Sequence, residues 1–195
     1  MSDVKLYDAV VIGVSAGGLA ALEKVLPMLD ASIPVPVFVV QHIRPDSDNY
    51  MPLHFDRRCK VDVKEAEDKE VPAPGTVYFA PPNYHLLIEL EKTLALSVEE
   101  RVNFSRPSVD VLFETAAEAY RDKLIGVILT GANSDGARGL AKIKRFGGMA
   151  IVQTPESAEA NAMPLAALDA VEPDQVLPIG EIGTFINSLL MGEDI

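Results

Sequence analysis

The sequence predicts an α/β fold: a three-layer, doubly wound, mainly parallel sheet with a small antiparallel hairpin section. Three observations lead there. Short, continuous, β-branched runs recur along the chain, as strands buried on both faces require. Segments with apolar residues three and four apart separate them, the period of a helix with one buried face. Between residues 61 and 97 the pattern changes to alternation and brief apolar pieces between turn signals.

The first run is Ala9-Val10-Val11-Ile12, bounded by Asp8 and Gly13. A helix follows on Leu19, Leu22, Val25 and Leu26, and Pro27 ends or distorts it. Val37 to Val40 is the second strand, so a right-handed crossover joins a parallel pair. In the middle, Val61 and Val63 alternate with polar residues, and Thr76–Ala80, Leu86–Leu90 and Thr93–Ser97 read as short strands. Pro74-Gly75, Pro81-Pro82-Asn83 and Glu91-Lys92 are the turns between them. This stretch is expected to be mixed or antiparallel, on an edge or flap.

The α/β rhythm then returns. Ser108 is placed to cap a helix carrying Val109, Leu112, Phe113, Ala116 and Ala117, with Asp110 complementing its dipole. Leu124–Leu129 is a buried strand, and Ala137–Arg145 is a helix closed by Gly147-Gly148. Met149–Val152 is a strand, a helix over 164–170 uses Pro164 at its first position, and Gln175–Leu177 is a short strand. The last helix covers Ile182–Leu190.

At 195 residues the chain predicts one domain, spanning 1–195. Lys plus Arg is 17 and Asp plus Glu is 29, a net charge of −12. A nucleic-acid track or a dock for anionic lipid needs a basic surface, so neither partner is expected. Cys59 is the single cysteine, which rules out an internal disulfide and a cysteine metal cluster. The first eight residues lack the apolar core of a signal peptide, and no run approaches the ~20 residues of a membrane span. A cytoplasmic protein is expected.

Ligands of open parallel sheets bind beyond the carboxyl ends of the strands. The first strand leads into Gly13-Val14-Ser15-Ala16-Gly17-Gly18, the second into Gln41-His42, and Leu124–Leu129 into Thr130 through Gly136, which includes Asp135. A serine, a histidine and an aspartate therefore meet at one sheet edge. Gly13-x-Ser15-x-Gly17 has the pattern of a nucleophile elbow. A serine hydroxyl needs a histidine to take its proton and a carboxylate to hold that histidine's tautomer. His42 and Asp135 are the candidates, with Ser15 Oγ expected on one ring nitrogen of His42 and Asp135 on the other. Backbone N–H groups around Ala16, Gly17 and Gly18 are candidates to hold an oxyanion.

Each piece has a plainer reading on its own. Short serine–glycine patterns arise by chance. A dinucleotide loop would need glycine where Ser15 stands, and an acid rather than Gln41-His42 after the second strand. His42 alone reads as a hydrogen-bonded, partly buried histidine, and Asp135 alone as a turn residue. An α/β-hydrolase would place its acid before its histidine, opposite to the order here. His54 and His85 read as structural or exposed, no metal spacing is present, and no cofactor is expected.

The whole chain resembles the catalytic domain of the CheB-type chemotaxis methylesterases. The resemblance is carried by Ile12-Gly13-Val14-Ser15-Ala16-Gly17-Gly18, Val40-Gln41-His42-Ile43, Val63–Asp68, Tyr78–Pro82, Arg106–Phe113 and Gly126–Gly131 through Asp135-Gly136-Ala137, in that order. Ala162-Met163-Pro164 is a weaker marker. The resemblance implies hydrolysis of glutamate γ-methyl esters on chemoreceptor helices with release of methanol, and deamidation of certain receptor glutamines. It implies Ser15 as nucleophile, His42 as base and Asp135 as orienting acid. Three positions depart from the family pattern. Ala16 replaces a common hydroxyl residue, and Gly131-Ala132-Asn133 replaces Gly-Met-Gly. The family's regulated enzyme also carries an N-terminal receiver domain, which eight leading residues cannot hold. A stand-alone catalytic domain, or a piece of something larger, is expected, with a separate signalling protein as a possible regulator. Arg44, Arg106 and Arg138 are candidates for docking the methylated receptor. The alternative function is a non-catalytic module that binds a receptor or a signalling partner.

Overall fold

A computed structural model describes residues 6–192 other than 45, 47 and 49. Among the described residues the strands are, in chain order, β1 (Ala9–Val14), β2 (Val37–Gln41), β3 (Asp62–Glu65), β4 (Thr76–Phe79), β5 (His85–Ile88), β6 (Leu94–Ser97), β7 (Leu124–Ile128), β8 (Met149–Gln153) and β9 (Gln175–Leu177). The α-helices are α1 (Gly18–Val25), α2 (Tyr50–Asp56), α3 (Val109–Tyr120), α4 (Ala137–Arg145), α5 (Ala162–Ala170) and α6 (Ile179–Met191). Seven strands form one sheet in the order β3-β4-β2-β1-β7-β8-β9, every pair parallel. β5 and β6 pair antiparallel as a separate hairpin. The architecture is the doubly wound sheet with a hairpin that the sequence predicts.

Successive residues of a strand face opposite sides of a sheet, and β1 shows the consequence. Val10, Ile12 and Val14 pack with Leu22, Val25 and Leu26 of the α1 region and with Ile182 and Ile186 of α6. Ala9 and Val11 pack in the other layer with Leu112, Phe113 and Ala116 of α3, Leu140 and Ile143 of α4, and Ala167 of α5. A strand with apolar residues on both faces is stable only under two helical layers. Chain order runs from β1 to β2 on one side, then returns to β7 on the other. The sheet's topological switch therefore lies at β1, and the loops beyond β2, β1 and β7 open onto one crevice.

Several details depart from the sequence expectations. The stretch expected to be mixed or antiparallel divides in two: β3 and β4 extend the main parallel sheet at one edge, with Val63 opposite Val77, and only β5 and β6 pair antiparallel. Leu19 is 38% exposed, so the buried stripe of α1 is Ala21, Leu22 and Val25. After α1 the chain tightens into a 3-10 turn over Leu26–Met28, where Pro27 cannot supply a helical N–H. α2 has no forecast in the sequence pattern; it is short, and Pro52 sits harmlessly in its first turn. α5 begins at Ala162, two residues before Pro164, and α6 begins at Ile179. No helix among the described residues is long and apolar enough to cross a membrane.

Candidate active site

β1 ends in a loop whose backbone is tied down from three sides. Ser15 N–H donates to Thr130 O at 2.9 Å, and Ser15 O accepts from Gly18 N–H and from Gln41 Nε2, each at 2.9 Å. Thr130 Oγ1 donates to Ala16 O at 2.8 Å and accepts from Ala160 N–H at 2.9 Å. The loops after β1, β7 and β8 are thereby joined under the serine. Gly17 turns the chain into α1 at φ 77°, a left-handed conformation that glycine adopts without strain. Gly13 serves close packing: a Cβ there would fall 2.2 Å from Val109 Cγ1, so only glycine lets α3 approach β1 this closely. Ser15 is half-buried, and its hydroxyl makes no hydrogen bond among the described residues. Neither do the N–H groups of Ala16 and Gly17, which leaves two donors beside that hydroxyl.

His42 follows β2 and is held by its own N–H to Val14 O at 3.1 Å. Its Nε2 lies 2.7 Å from Asp135 Oδ2, with side-chain exposures of 11% and 0%. Its Nδ1 lies 3.1 Å from Asn133 Nδ2. Asn133 is oriented by its other atom, since Oδ1 accepts Asp135 N–H at 2.9 Å. An amide nitrogen can only donate, so Nδ1 must be the acceptor and the proton must sit on Nε2, pointing at Asp135. Asp135 thus takes one ring nitrogen, as the sequence predicts. The expected Ser15–His42 hydrogen bond is not made: Asn133 occupies the basic nitrogen instead.

Asp135 is the hub. Its carboxylate also accepts from Ser108 Oγ at 2.9 Å, from Asn103 Nδ2 at 2.8 Å, and from the N–H groups of Val109 at 2.7 Å and Asp110 at 3.1 Å. Ser108 does stand before α3, but its side chain does not cap that helix; the carboxylate of Asp135 does. A helix N-terminus stabilises an anion through its free N–H groups and dipole. Burial alone pushes the Asp135 carboxyl up. The bonds from His42, Asn103, Val109 and Asp110 outweigh it and hold the carboxyl below its ordinary value. The neighbouring Asp110 behaves oppositely. Burial raises it, the charge of Asp135 adds to the rise, and bonds from Gly139 N–H and Asn103 only partly offset both.

The remaining residues singled out in the sequence fall as follows. Arg44 is exposed, with no partner among the described residues. Arg106 turns inward to Asn83 Oδ1 and to the carbonyls of Val98 and Glu99. Arg138 pairs with Glu114. His54 binds Glu23 and Tyr50. His85 is buried, with Nε2 donating to Glu100 O and Nδ1 accepting Ser108 N–H, so it braces the start of α3. Asn103, Ser108, Asn133 and Gln41 carry no site signal in the sequence. Asn133 lies in the predicted turn and Ser108 at the predicted cap, so their positions were visible but their partners were not. Asn103 reaches the site only through tertiary folding.

The comparisons with known proteins agree with one another. The family model described as CheB methylesterase matches residues 10–186. A protein of Leptospira interrogans is 56% identical over 176 residues, covering 90% of this chain and 91% of that protein. The protein-glutamate methylesterase/protein-glutamine glutaminase of Thermotoga maritima is 38% identical, covering 89% of this chain and 51% of that protein. The chain thus spans about half the length of the Thermotoga relative. The crystal structure of the Thermotoga maritima CheB methylesterase catalytic domain superposes with a TM-score of 0.90 at 36% identity, covering 94% of this chain and 98% of that one.

Proposed function

Since the chain belongs to the CheB methylesterase family, we propose that it is a serine hydrolase that removes methyl esters from protein glutamates, with Ser15, His42 and Asp135 as its triad. The observation that carries this reading is the His42–Asp135 contact at 2.7 Å, at the same sheet edge as an uncommitted serine hydroxyl. Asp135 holds the imidazole so that Nδ1 is the basic atom. Ser15 Oγ attacks the γ-ester carbonyl as His42 Nδ1, released by Asn133, takes its proton. The tetrahedral oxyanion forms beside the N–H groups of Ala16 and Gly17, with Gly18 N–H already given to Ser15 O. The imidazolium, stabilised by the ionised Asp135, returns the proton to the departing methoxide, and methanol leaves. Water, deprotonated by His42, then attacks the acyl-enzyme, giving a glutamate carboxylate and free Ser15. A glutamine side chain enters the same sequence with ammonia as the leaving group.

The substrate is a methylated chemoreceptor or a similar methylated protein, and the setting is the cytoplasm, where a separate signalling protein regulates turnover. Ala16 brings a free N–H but no hydroxyl, so the oxyanion relies on backbone donors. Methanol release from methylated receptor tests the reading. Parent protein should release it, and Ser15→Ala should lower the rate at least about 10³-fold. Equal rates would refute the mechanism.

A further inference from the structure

Residues 102–105 form a tight two-residue hairpin beside His42. Val102 N–H donates to Ser105 O at 3.1 Å and Ser105 N–H to Val102 O at 2.9 Å. Both central residues have positive φ, 50° at Asn103 and 62° at Phe104. That is the pattern of a type I′ turn, whose second position is normally glycine. A bulky residue there is a backbone outlier. Phe104 gains nothing in return from the fold, because it is 95% exposed. Strain held at a site without a packing reward points to use by a partner.

The turn is held rigidly from both ends. Asn103 Nδ2 lies 2.8 Å from both Asp110 Oδ2 and Asp135 Oδ1, which fastens it to the acid of the proposed triad. Arg106 clamps the far side through its bonds to Asn83, Val98 and Glu99. Phe104 and Arg101 share with His42 and Ile43 a cleft of about 80 Å³. Arg101 and Arg44 are exposed and have no ionic or hydrogen-bonding partner among the described residues. Unpaired arginines next to the site are notable on a chain of net charge −12, which repels an anionic partner at long range. Attraction must come from such a local feature.

We infer that the 102–105 turn docks an acidic amphipathic helix bearing the esterified glutamate, Phe104 meeting its apolar stripe and Arg101 and Arg44 its carboxylates. This rests on the esterase reading for the identity of the ester. An exposed aromatic next to arginines is the usual make-up of an energetic anchor at an interface.

The test uses a synthetic acidic amphipathic helix with one glutamate γ-methyl ester. Its affinity is measured on the Ser15→Ala chain, so that turnover does not interfere. Phe104→Ala should weaken binding by about tenfold. Arg101→Ala should weaken it and also flatten its dependence on salt. Leu90→Ala, at another exposed apolar residue, should leave it unchanged. Binding unchanged by Phe104→Ala, or no binding by the Ser15→Ala chain, would overturn the inference. Methanol release from the same helix by the chain with Ser15 intact reports the esterase reading separately. Methanol with binding indifferent to Phe104 removes the dock alone; Phe104-dependent binding without methanol supports the dock and removes the esterase.

Discussion

Asn133 sets the resting state of His42. Its amide nitrogen donates to Nδ1 at 3.1 Å while its amide oxygen takes Asp135 N–H at 2.9 Å, so the histidine is held as the tautomer that a base requires. The same contact competes with the serine. The attacking hydroxyl must reach the nitrogen that Asn133 covers. A neutral hydrogen bond contributes about 1 kcal/mol net, so releasing it should raise kcat by about fivefold. Asn133→Gly is expected to show that rise with a smaller change in KM, measured by steady-state methanol release. A fall in kcat would mean that Asn133 assists turnover. Gly131-Ala132-Asn133 marks this position in the sequence as a departure from the family pattern. The sequence does not say that the new side chain reaches the base, because a turn residue's partners depend on which strand ends lie beside it.

At the scale of elements, the site is built on the start of α3. Asp135 replaces Ser108 as the cap of that helix, which makes one carboxylate both a structural and a chemical group. Two consequences are measurable. Asp135 has its carboxyl lowered in the folded state, so its ionised form adds stability above the ordinary carboxylate value of about 3.9, lost as pH falls through the lowered folded value. Acid unfolding followed by circular dichroism should therefore be steeper in the parent than in Asp135→Asn, with the parent more stable at neutral pH. Asp110 contributes with the opposite sign, since its raised carboxyl favours the folded state as pH falls. Gly13→Ala tests the packing that brings α3 to β1. The new methyl would lie 2.2 Å from Val109 Cγ1, and overpacking of this kind costs about 1–3 kcal/mol. Urea unfolding should show that loss, and methanol release should fall with it because Val109 N–H holds Asp135. Apart from α2, helix and strand identities are legible from period and turn residues, from Ala9 to Leu190. The stretch from 61 to 97 is legible as mixed and at an edge, but not which of its strands are parallel, because short alternating runs fit an edge strand of the main sheet and a separate hairpin equally well.

For the whole molecule, the order β3-β4-β2-β1-β7-β8-β9 turns residues 27 and 93 positions apart, Ser15 to His42 and His42 to Asp135, into neighbours at one edge. That convergence is readable because Ser15 and His42 directly follow β1 and β2 and Asp135 lies in the loop that follows β7. The supporting contacts of Asn103 and the dock at Phe104 are not, since both depend on a loop that only the tertiary fold carries back to His42. The net charge of −12 belongs to this scale as well: it makes recognition of an acidic helix a local matter for a few arginines. The central claim is that Ser15, His42 and Asp135 act as one unit on a glutamyl ester. Groups that act as a unit are non-additive when removed together. The decisive measurement is methanol release from methylated receptor by Ser15→Ala, His42→Gln and the double variant. Each single change should lower the rate at least about 10³-fold, and the double should be no slower than either. A parental rate in Ser15→Ala, or losses that multiply in the double variant, would contradict it.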